Sequence, residues 1–397
     1  MKKNILIVSD SLNMGGLEKC LINLCDNFDY DKYEVDLYLF NAGRTLLDKL
    51  NKNVNLLPDS PFYTDLYNTP VFSSIKTLIK KKKLGLALYR FIRFLRIRFK
   101  DYKYRNIDWS VMQKTMLKLD KKYDVAIGFA EGTACYYVAE CVDAKAKIGW
   151  IHTDLKQVRH NRELDQRAFE KLDRVATVSQ NSLNSLIELH PNYKEKFSCI
   201  MLTGLMNFEE FEALANQPND MDKETANVLS IGRLVELKGF HLCVEPCKKL
   251  IDEGYKIRWY IVGDGPQRAE LESLIKQNNL EENFVLLGNK ENPYTYIKSA
   301  DICVQPSSYE GLSLVVYEEK YFKKPVVATG ILGNLEMIKD HYNGLIIERN
   351  SESIYKAVKE LLDNKELLKN LGQAPALNYV TKEETMKKIE KLFITEC

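Results

Sequence analysis

The stretch "SADICVQPSSYEGLSLVVYEEKYFKKPVVAT", residues 299–329, reads as strand, loop, helix, strand. Ile302–Gln305 and Val326–Thr329 are short runs rich in β-branched residues with no polar alternation, the mark of strands buried on both faces. Between them Pro306, Ser307, Ser308 and Gly311 make a loop, and a helix starts near Ser313 or Leu314. Two buried strands joined through a helix pair in parallel, because a hairpin turn cannot bring parallel strands together.

The same alternation extends in both directions. Further strands are expected at Asn227–Ile231, Arg258–Val262, Phe284–Leu287 and Gly344–Ile347. In the first half they are expected at Asn4–Val8, Glu34–Phe40, Asp124–Phe129, Lys147–Ile151, Arg174–Val178 and Phe197–Met201. Amphipathic segments such as Leu17–Asp26 and Gln180–Leu189 lie between several of them. The series restarts after Phe208–Lys223, a polar stretch that reads as a linker. With 397 residues, two domains are the prior. The sequence therefore predicts an α/β chain of two doubly wound, Rossmann-like domains facing across a cleft. Residues 1–208 form the first, 209–372 the second, and 373–397 a segment crossing back to the first. Residues 58–120 carry no strand pattern and form an insertion in the first domain.

A hydrophobic content of 45% supports two cores and excludes disorder. The net charge of +2 is near neutral, but twelve Lys and Arg against one acid fall between Lys76 and Arg105, about residues 76–105 of the insertion. Nine cysteines are scattered, with no CxxC pair and no His/Cys cluster at zinc spacing, so reduced thiols and no metal site are expected. Cys243 and Cys247 fall on one helix, where packing explains them. The N-terminus "MKKNILIVSD" is a first buried strand and too short in its apolar run for a signal peptide. No run approaches the ~18 apolar residues of a membrane span. A cytoplasmic protein is expected.

Within "KKKKLGLALYRFIRFLRIRFKDYKYR", 80–105, Leu84, Leu88, Phe91, Ile92, Leu95 and Phe99 share one helical face. Arg90, Arg93, Lys100 and Lys103 fall towards the flanks and the opposite side. A basic amphipathic helix suits an anionic membrane surface. Packing on the first domain is the alternative. No nucleic-acid module accompanies the patch, so no nucleic-acid partner is expected.

Glu310 stands in the loop at a strand's carboxyl end, where ligands gather in doubly wound domains. Glu318 lies over one turn into the following helix, and Gly311, Leu312 and Ser313 present backbone N–H groups at its start, a natural phosphate seat. The two carboxylates then bracket a phosphate with a hydroxyl-rich group on either side. A nucleotide-sugar has that layout of sugar, diphosphate and ribose. Alone, the E-x7-E spacing occurs often by chance, and Glu318–Glu319 reads equally as an exposed pair. "LSIGRLVELKGF", 229–240, adds Arg233 and Lys238 at another strand end, able to neutralise a departing diphosphate without a metal. Either cation taken singly reads as an ordinary surface charge. "IVGDGP", 261–266, places Gly263 and Gly265 at the next turn, but lacks the third glycine of a NAD fingerprint. "SLNMGGLEK", 11–19, puts Gly15 and Gly16 where a ligand can approach the backbone.

Together these pieces resemble the retaining glycosyltransferases of family 4, which have the GT-B fold. The motifs that carry the resemblance are "GG" at 15–16, "GRLVELKG" at 232–239, "GDGP" at 263–266 and "EGLSLVVYE" at 310–318. It implies transfer of a sugar from a nucleoside-diphosphate donor, UDP-linked above all, to a hydroxyl acceptor with retention at the anomeric carbon. Arg233 and Lys238 look like the diphosphate ligands, Glu318 like the ribose glutamate, and Glu310 like the residue contacting the transferred sugar. The Gly311–Ser313 amides match phosphate contacts, and Gly16, with Gly15, sits where donor and acceptor meet the glycine-rich loop. His152 in "IGWIHTDL", 148–155, matches a histidine that contacts the sugar in similar enzymes; the alternative is a histidine closing a strand end through its backbone, with Asp154 as an N-cap. Base contacts are expected near Gly288 and Asn289, and Gly263 is counted among the donor-binding residues. The implied catalytic set is Glu310, His152, Arg233 and Lys238, with no cofactor and no metal.

The resemblance and the basic helix together suggest a glycan or lipid-linked acceptor in bacterial capsule, exopolysaccharide or lipopolysaccharide assembly, at the inner face of the plasma membrane. A GT-B phosphorylase, a sugar-nucleotide epimerase and a non-catalytic sugar-nucleotide-binding protein share the expected fold and stand as alternatives. One departure is Glu319, where the family has a small residue; a glutamate there crowds the helix or points to solvent.

Overall fold

A computed structural model describes residues 2–98 and 109–394, apart from positions 14, 42, 61 and 159. The chain divides into two compact units: residues 1–205 with 382–397, and residues 206–381.

The first unit is built on seven parallel strands: β1 (Lys3–Ser9), β2 (Tyr33–Leu39), β3 (Asn55–Leu56), β4 (Tyr123–Gly128), β5 (Ala144–Ile151), β6 (Arg174–Thr177) and β7 (Phe197–Cys199). Their spatial order is β3-β2-β1-β4-β5-β6-β7. The central strand explains why its sequence is a continuous apolar run: Ile5, Leu6, Ile7 and Val8 are all fully buried, because helices cover both faces. Only β3 lacked a signal in the sequence; a two-residue edge strand is too short to show a period. The helix Lys382–Leu392 belongs to this unit. It buries Ile389, stacks Phe393 on Phe28 at 6.4 Å, and its Glu390 accepts a hydrogen bond from the Tyr33 hydroxyl at 3.1 Å.

The second unit repeats the plan with six parallel strands: β8 (Ala226–Ile231), β9 (Ile257–Val262), β10 (Phe284–Gly288), β11 (Ile302–Gln305), β12 (Val326–Thr329) and β13 (Leu345–Ile347). The order β10-β9-β8-β11-β12-β13 reverses direction between β8 and β11. At such a switch the loops leaving the two strands part to opposite sides and leave a crevice beyond their carboxyl ends.

Two expectations about organisation change. The stretch read as a linker contains a helix, Phe208–Ala215, capped by Asn207 and packed into the second unit. Phe211 stacks on Tyr294 at 4.1 Å and Phe208 on Tyr321 at 4.3 Å, while Asn219 donates to the Thr295 carbonyl. The unit boundary accordingly falls at 205/206 rather than 208/209, and the return to the first unit begins at residue 382 rather than 373. Cys243 and Cys247 are buried in the core of the second unit, as packing required.

Candidate functional site

In the second unit the loops after β8 and β11 flank the switch point, and the structure ties them together. Ser308 N donates to the Leu237 carbonyl at 2.8 Å. Gly239 adopts a left-handed φ of +71°, and a Cβ there would lie 2.4 Å from the Pro306 carbonyl oxygen. Glycine is therefore required for the β8 loop to sit down on the β11 loop. That seating delivers Lys238 to Glu310: the ammonium is ion-paired with one carboxylate oxygen, which also accepts from the Ser307 hydroxyl at 2.9 Å. Both side chains are mostly buried, at 18% and 17% exposure. Arg233, two residues after β8, is exposed and has no ion-pair partner among the described residues.

The helix Leu314–Tyr321 starts beside this pair with Ser313 as its N-cap. The Ser313 side chain makes no capping bond, and the N–H groups of Gly311, Leu312 and Ser313 donate to nothing among the described residues. These unspent donors add to the positive end of the helix dipole. A carboxylate–ammonium pair, an unpaired guanidinium and three free amides thus share the crevice end of one sheet. The arrangement is polarised for an anion with hydroxyl groups beside it.

Glu318 is 1% exposed in the same helix, so it is not half of a solvent-facing pair. Burial raises the nearby Tyr294 phenol, and the charge of Glu318 adds to that shift. Glu319 is fully buried and corrects the expectation that it crowds the helix or reaches solvent. It accepts a hydrogen bond of 2.6 Å from the Gln305 amide, the last residue of β11, while its second oxygen has no partner. Burial pushes its pKa up to about 8. Lys320, also buried, donates to the Leu371 carbonyl at 2.5 Å, and burial lowers its pKa to about 8. Glu319 therefore fastens the helix that carries Glu318 to the strand whose loop carries Glu310.

Three supporting residues had escaped the motif reading. Thr329 donates to the Ser307 carbonyl at 2.5 Å, and Asn334 donates to the Thr329 carbonyl at 3.0 Å. Ser307, Thr329 and Asn334 are all buried, forming a polar buttress under the Glu310 loop. A clue lay in the sequence: Thr329 ends a strand otherwise composed of Val and Ala, and Ser307 lies two residues past the end of another.

Gly263 has a packing role. With φ at +146°, a Cβ there would meet the Gly232 carbonyl oxygen at 1.9 Å. It lets the turn after β9 close against the start of the β8 loop. Asn289 is exposed just past the end of β10, two strands away from β8.

The first unit holds the remaining expected residues. Gly16 opens the helix Gly16–Asp26 and Gly15 is its extended N-cap. A Cβ on Gly15 would approach the Glu18 carboxylate, which accepts from Ser11 at 3.3 Å and whose pKa burial raises. His152 follows β5. Its backbone N–H donates to Glu131 at 3.0 Å, and Thr153 donates to the other oxygen of Glu131. The ring lies edge-on to Phe129 at 4.7 Å with its Nε2 buried and unpartnered. Burial holds its pKa near 3, so the imidazole is neutral and can serve only as a polar contact, not as a cation. Asp154 accepts from Lys156 N at 2.9 Å in a local turn rather than capping a helix.

Also in the first unit, helices Val71–Lys80 and Leu84–Arg98 pack into a hairpin. The expected segment runs to 105, of which 99–105 lie outside the described residues. Leu78 and Ala87 are buried between the hairpin and Leu66. Arg90 does not face solvent: it is 7% exposed and donates to the Thr69 carbonyl at 3.1 Å. The helix thus packs through its small and arginine positions and leaves its apolar stripe outside. Phe72, Ile79, Leu84 and Leu88 are exposed by 73%, 52%, 66% and 60%. No helix among the described residues is long and apolar enough to cross a membrane.

Residues 212–376 match the family model described as glycosyl transferases group 1. The amylovoran biosynthesis glycosyltransferase AmsD of Erwinia amylovora is 24% identical over 94% of this chain and 94% of its own. A poly(ribitol-phosphate) alpha-N-acetylglucosaminyltransferase of Staphylococcus aureus is 26% identical over 62% of this chain; the match spans about half, 49%, of that protein. Among solved structures, Anabaena HepE in complex with UDP superposes with a TM-score of 0.64, covering 99% of this chain and 96% of that one at 16% identity. Both sheets, their order and this likeness define a GT-B fold of two Rossmann-like units.

Proposed function

We propose that this chain, whose second unit carries a group 1 glycosyltransferase domain, moves a sugar from a nucleoside-diphosphate donor to a hydroxyl of a glycan or lipid-linked acceptor, with retention of configuration. The observation that carries the reading is the Lys238–Glu310 pair, held by Ser307 beside the free amides of Gly311–Ser313. Charge develops on the diphosphate as the glycosidic bond loosens. Lys238 and Arg233 stabilise it by fixed charge, and the amides at the helix start add hydrogen bonds. Glu310, freed from Lys238 as the ammonium turns to phosphate, accepts from hydroxyls of the transferred sugar. Glu318 takes the ribose hydroxyls. The leaving phosphate receives the acceptor's proton on the same face, so no protein nucleophile and no metal is needed. His152, neutral at working pH, offers the sugar a polar contact.

UDP is the favoured carrier, because the structural relative HepE binds UDP and the Staphylococcus relative is named an N-acetylglucosaminyltransferase. The amylovoran and poly(ribitol-phosphate) relatives favour a role in bacterial cell-surface polysaccharide synthesis. The exposed apolar stripe with Lys76 and Lys80–Lys83 at its rim favours peripheral attachment to an anionic membrane surface, where a lipid-linked acceptor would lie.

The test is release of UDP from UDP-glucose and UDP-N-acetylglucosamine with candidate glycosyl acceptors, the product anomer being read by NMR. Acceptor-dependent release, abolished in Lys238→Ala, supports the reading. Turnover that persists unchanged in Lys238→Ala and Glu310→Ala, or an inverted product, overturns it.

A further inference from the structure

Among the described residues, one group of three side chains has donor atoms close enough to share an ion: His160, Asp165 and His190, with these atoms within 4.8 Å of one another. All three belong to the first unit. Asp165 sits in the first turn of the helix Arg162–Lys171, His160 just precedes that helix, and His190 caps the end of the helix Gln180–Leu189. Spacings of five and twenty-five positions resemble no zinc motif, which is why the sequence did not show the cluster.

Hydrogen bonding explains part of it. Tyr136 donates to one oxygen of Asp165 at 2.6 Å, and His160 Nδ1 meets the other at 2.5 Å. It does not explain His190. That side chain is 2% exposed, edge-on to Phe169 at 5.0 Å, and neither ring nitrogen has a partner. A buried polar group left unpaired costs about 1–3 kcal/mol. An imidazole with two orphaned nitrogens beside a carboxylate and a second imidazole is the arrangement a metal ion would complete.

We propose that His160, Asp165 and His190 form a binding site for a divalent first-row transition-metal ion of the zinc class. Two imidazoles and a carboxylate are borderline ligands that favour zinc, cobalt or nickel over magnesium or calcium. Metal–ligand bonds of about 2.0–2.2 Å put the donor atoms roughly 3–3.5 Å apart. Side-chain rotations suffice: the His160–Asp165 contact opens by about an ångström and His190 closes in. Tyr136 remains on the second oxygen of Asp165 and orients it, as outer-shell partners of metal-bound carboxylates do. The His160 side chain is 19% exposed, which gives the ion an entry path and leaves a fourth position for water. Among the described residues Arg162 opposes the ion, and it is turned aside to donate to the Leu189 carbonyl at 2.9 Å. Occupancy would clamp the segment that follows β5 and His152 to the helix ending at Leu189.

Full-length protein stripped with a chelator and then freed of it is titrated with cobalt(II) chloride, followed by displacement with zinc chloride. The expected result is one equivalent of cobalt with the visible absorption of a low-coordinate nitrogen–oxygen site, bled away by zinc, with a dissociation constant at or below the micromolar range. Outer-shell losses already weaken metal binding 10–100-fold, so His190→Gln and His160→Gln should each weaken it by at least ~tenfold. Both variants are checked for folding by circular dichroism without metal; if His190→Gln does not fold, the partly exposed His160→Gln decides. His341→Gln, a solvent-facing histidine beside Asp340 and Glu360, serves as the control and should change nothing. Millimolar, non-stoichiometric binding, or binding of the same strength in a folded His160→Gln or His190→Gln variant, would overturn the assignment.

Discussion

Replacing Glu319 by Gln should stabilise the second unit, and by an amount that grows with pH. In the folded chain burial raises the Glu319 pKa from its ordinary 4.5 to about 8, the neighbouring Glu318 charge adding to the effect and the Gln305 hydrogen bond opposing it. Between those two values the folded state holds a proton that the unfolded chain has released. Stability contributed by the neutral acid is thus complete below pH 4.5 and lost as pH rises, until the folded form ionises near 8. With ~1.36 kcal/mol for each pKa unit, the loss is about 1 kcal/mol at pH 5 and about 3 kcal/mol at pH 7. Glutamine copies the protonated acid: it still accepts from Gln305 and titrates nowhere. The difference in unfolding free energy between variant and wild type should therefore rise by about 2 kcal/mol from pH 5 to pH 7, a shift of roughly 1 M in the urea midpoint. The lowered pKa of Lys320, about 8, places its own titration above this window.

The chain's three tryptophans make the measurement clean. Trp109 and Trp150 lie in the first unit and can be changed to Phe, leaving Trp259, fully buried in the second, as the sole fluorescence reporter. A difference that stays flat from pH 5 to 7.5 would mean that Glu319 titrates like an exposed carboxyl and that the tether to Gln305 is wrongly drawn. A difference that shrinks with pH would mean that an ion pair with Lys320 governs the site.

Lys238→Ala should lower kcat by about 10²–10³-fold, the usual loss when one fixed charge facing a leaving group is removed, in steady-state UDP release. Glu310→Ala should act mainly on kcat and Glu318→Ala mainly on KM for the donor; the same assay separates them, and equal effects on both constants in both variants would remove the distinct roles. Gly263→Ala should cost about 3 kcal/mol or more, because a methyl at φ +146° runs into the Gly232 carbonyl; urea unfolding read at Trp259 checks it. Leu84→Asp with Leu88→Asp should reduce flotation with anionic liposomes by more than ~tenfold without lowering the melting temperature, since both side chains are already in water. Unchanged flotation would detach the hairpin from any membrane role.

The strands of both sheets were legible because burial on both faces leaves a strand nothing to alternate, and Ile302–Gln305 and Val326–Thr329 were read to the residue. What failed had weaker local signals. Phe208–Ala215 passed for a linker because its helical face rests on tertiary contacts with Tyr294 and Tyr321, invisible in eight residues of mixed sequence. Arg90, which the sequence puts on the flank or far side of the apolar stripe, lies along a buried surface while a guanidinium donor reaches a carbonyl, here that of Thr69. Periodicity showed that Leu84, Leu88, Phe91 and Ile92 share a face, and apolar faces usually turn inward. The structure turns the opposite side inward and leaves these four exposed. An apolar stripe left exposed by the described residues is the sort of surface that soluble monomers seldom leave bare. The fold thus supplies what the sequence pattern could not: the direction in which an amphipathic helix points.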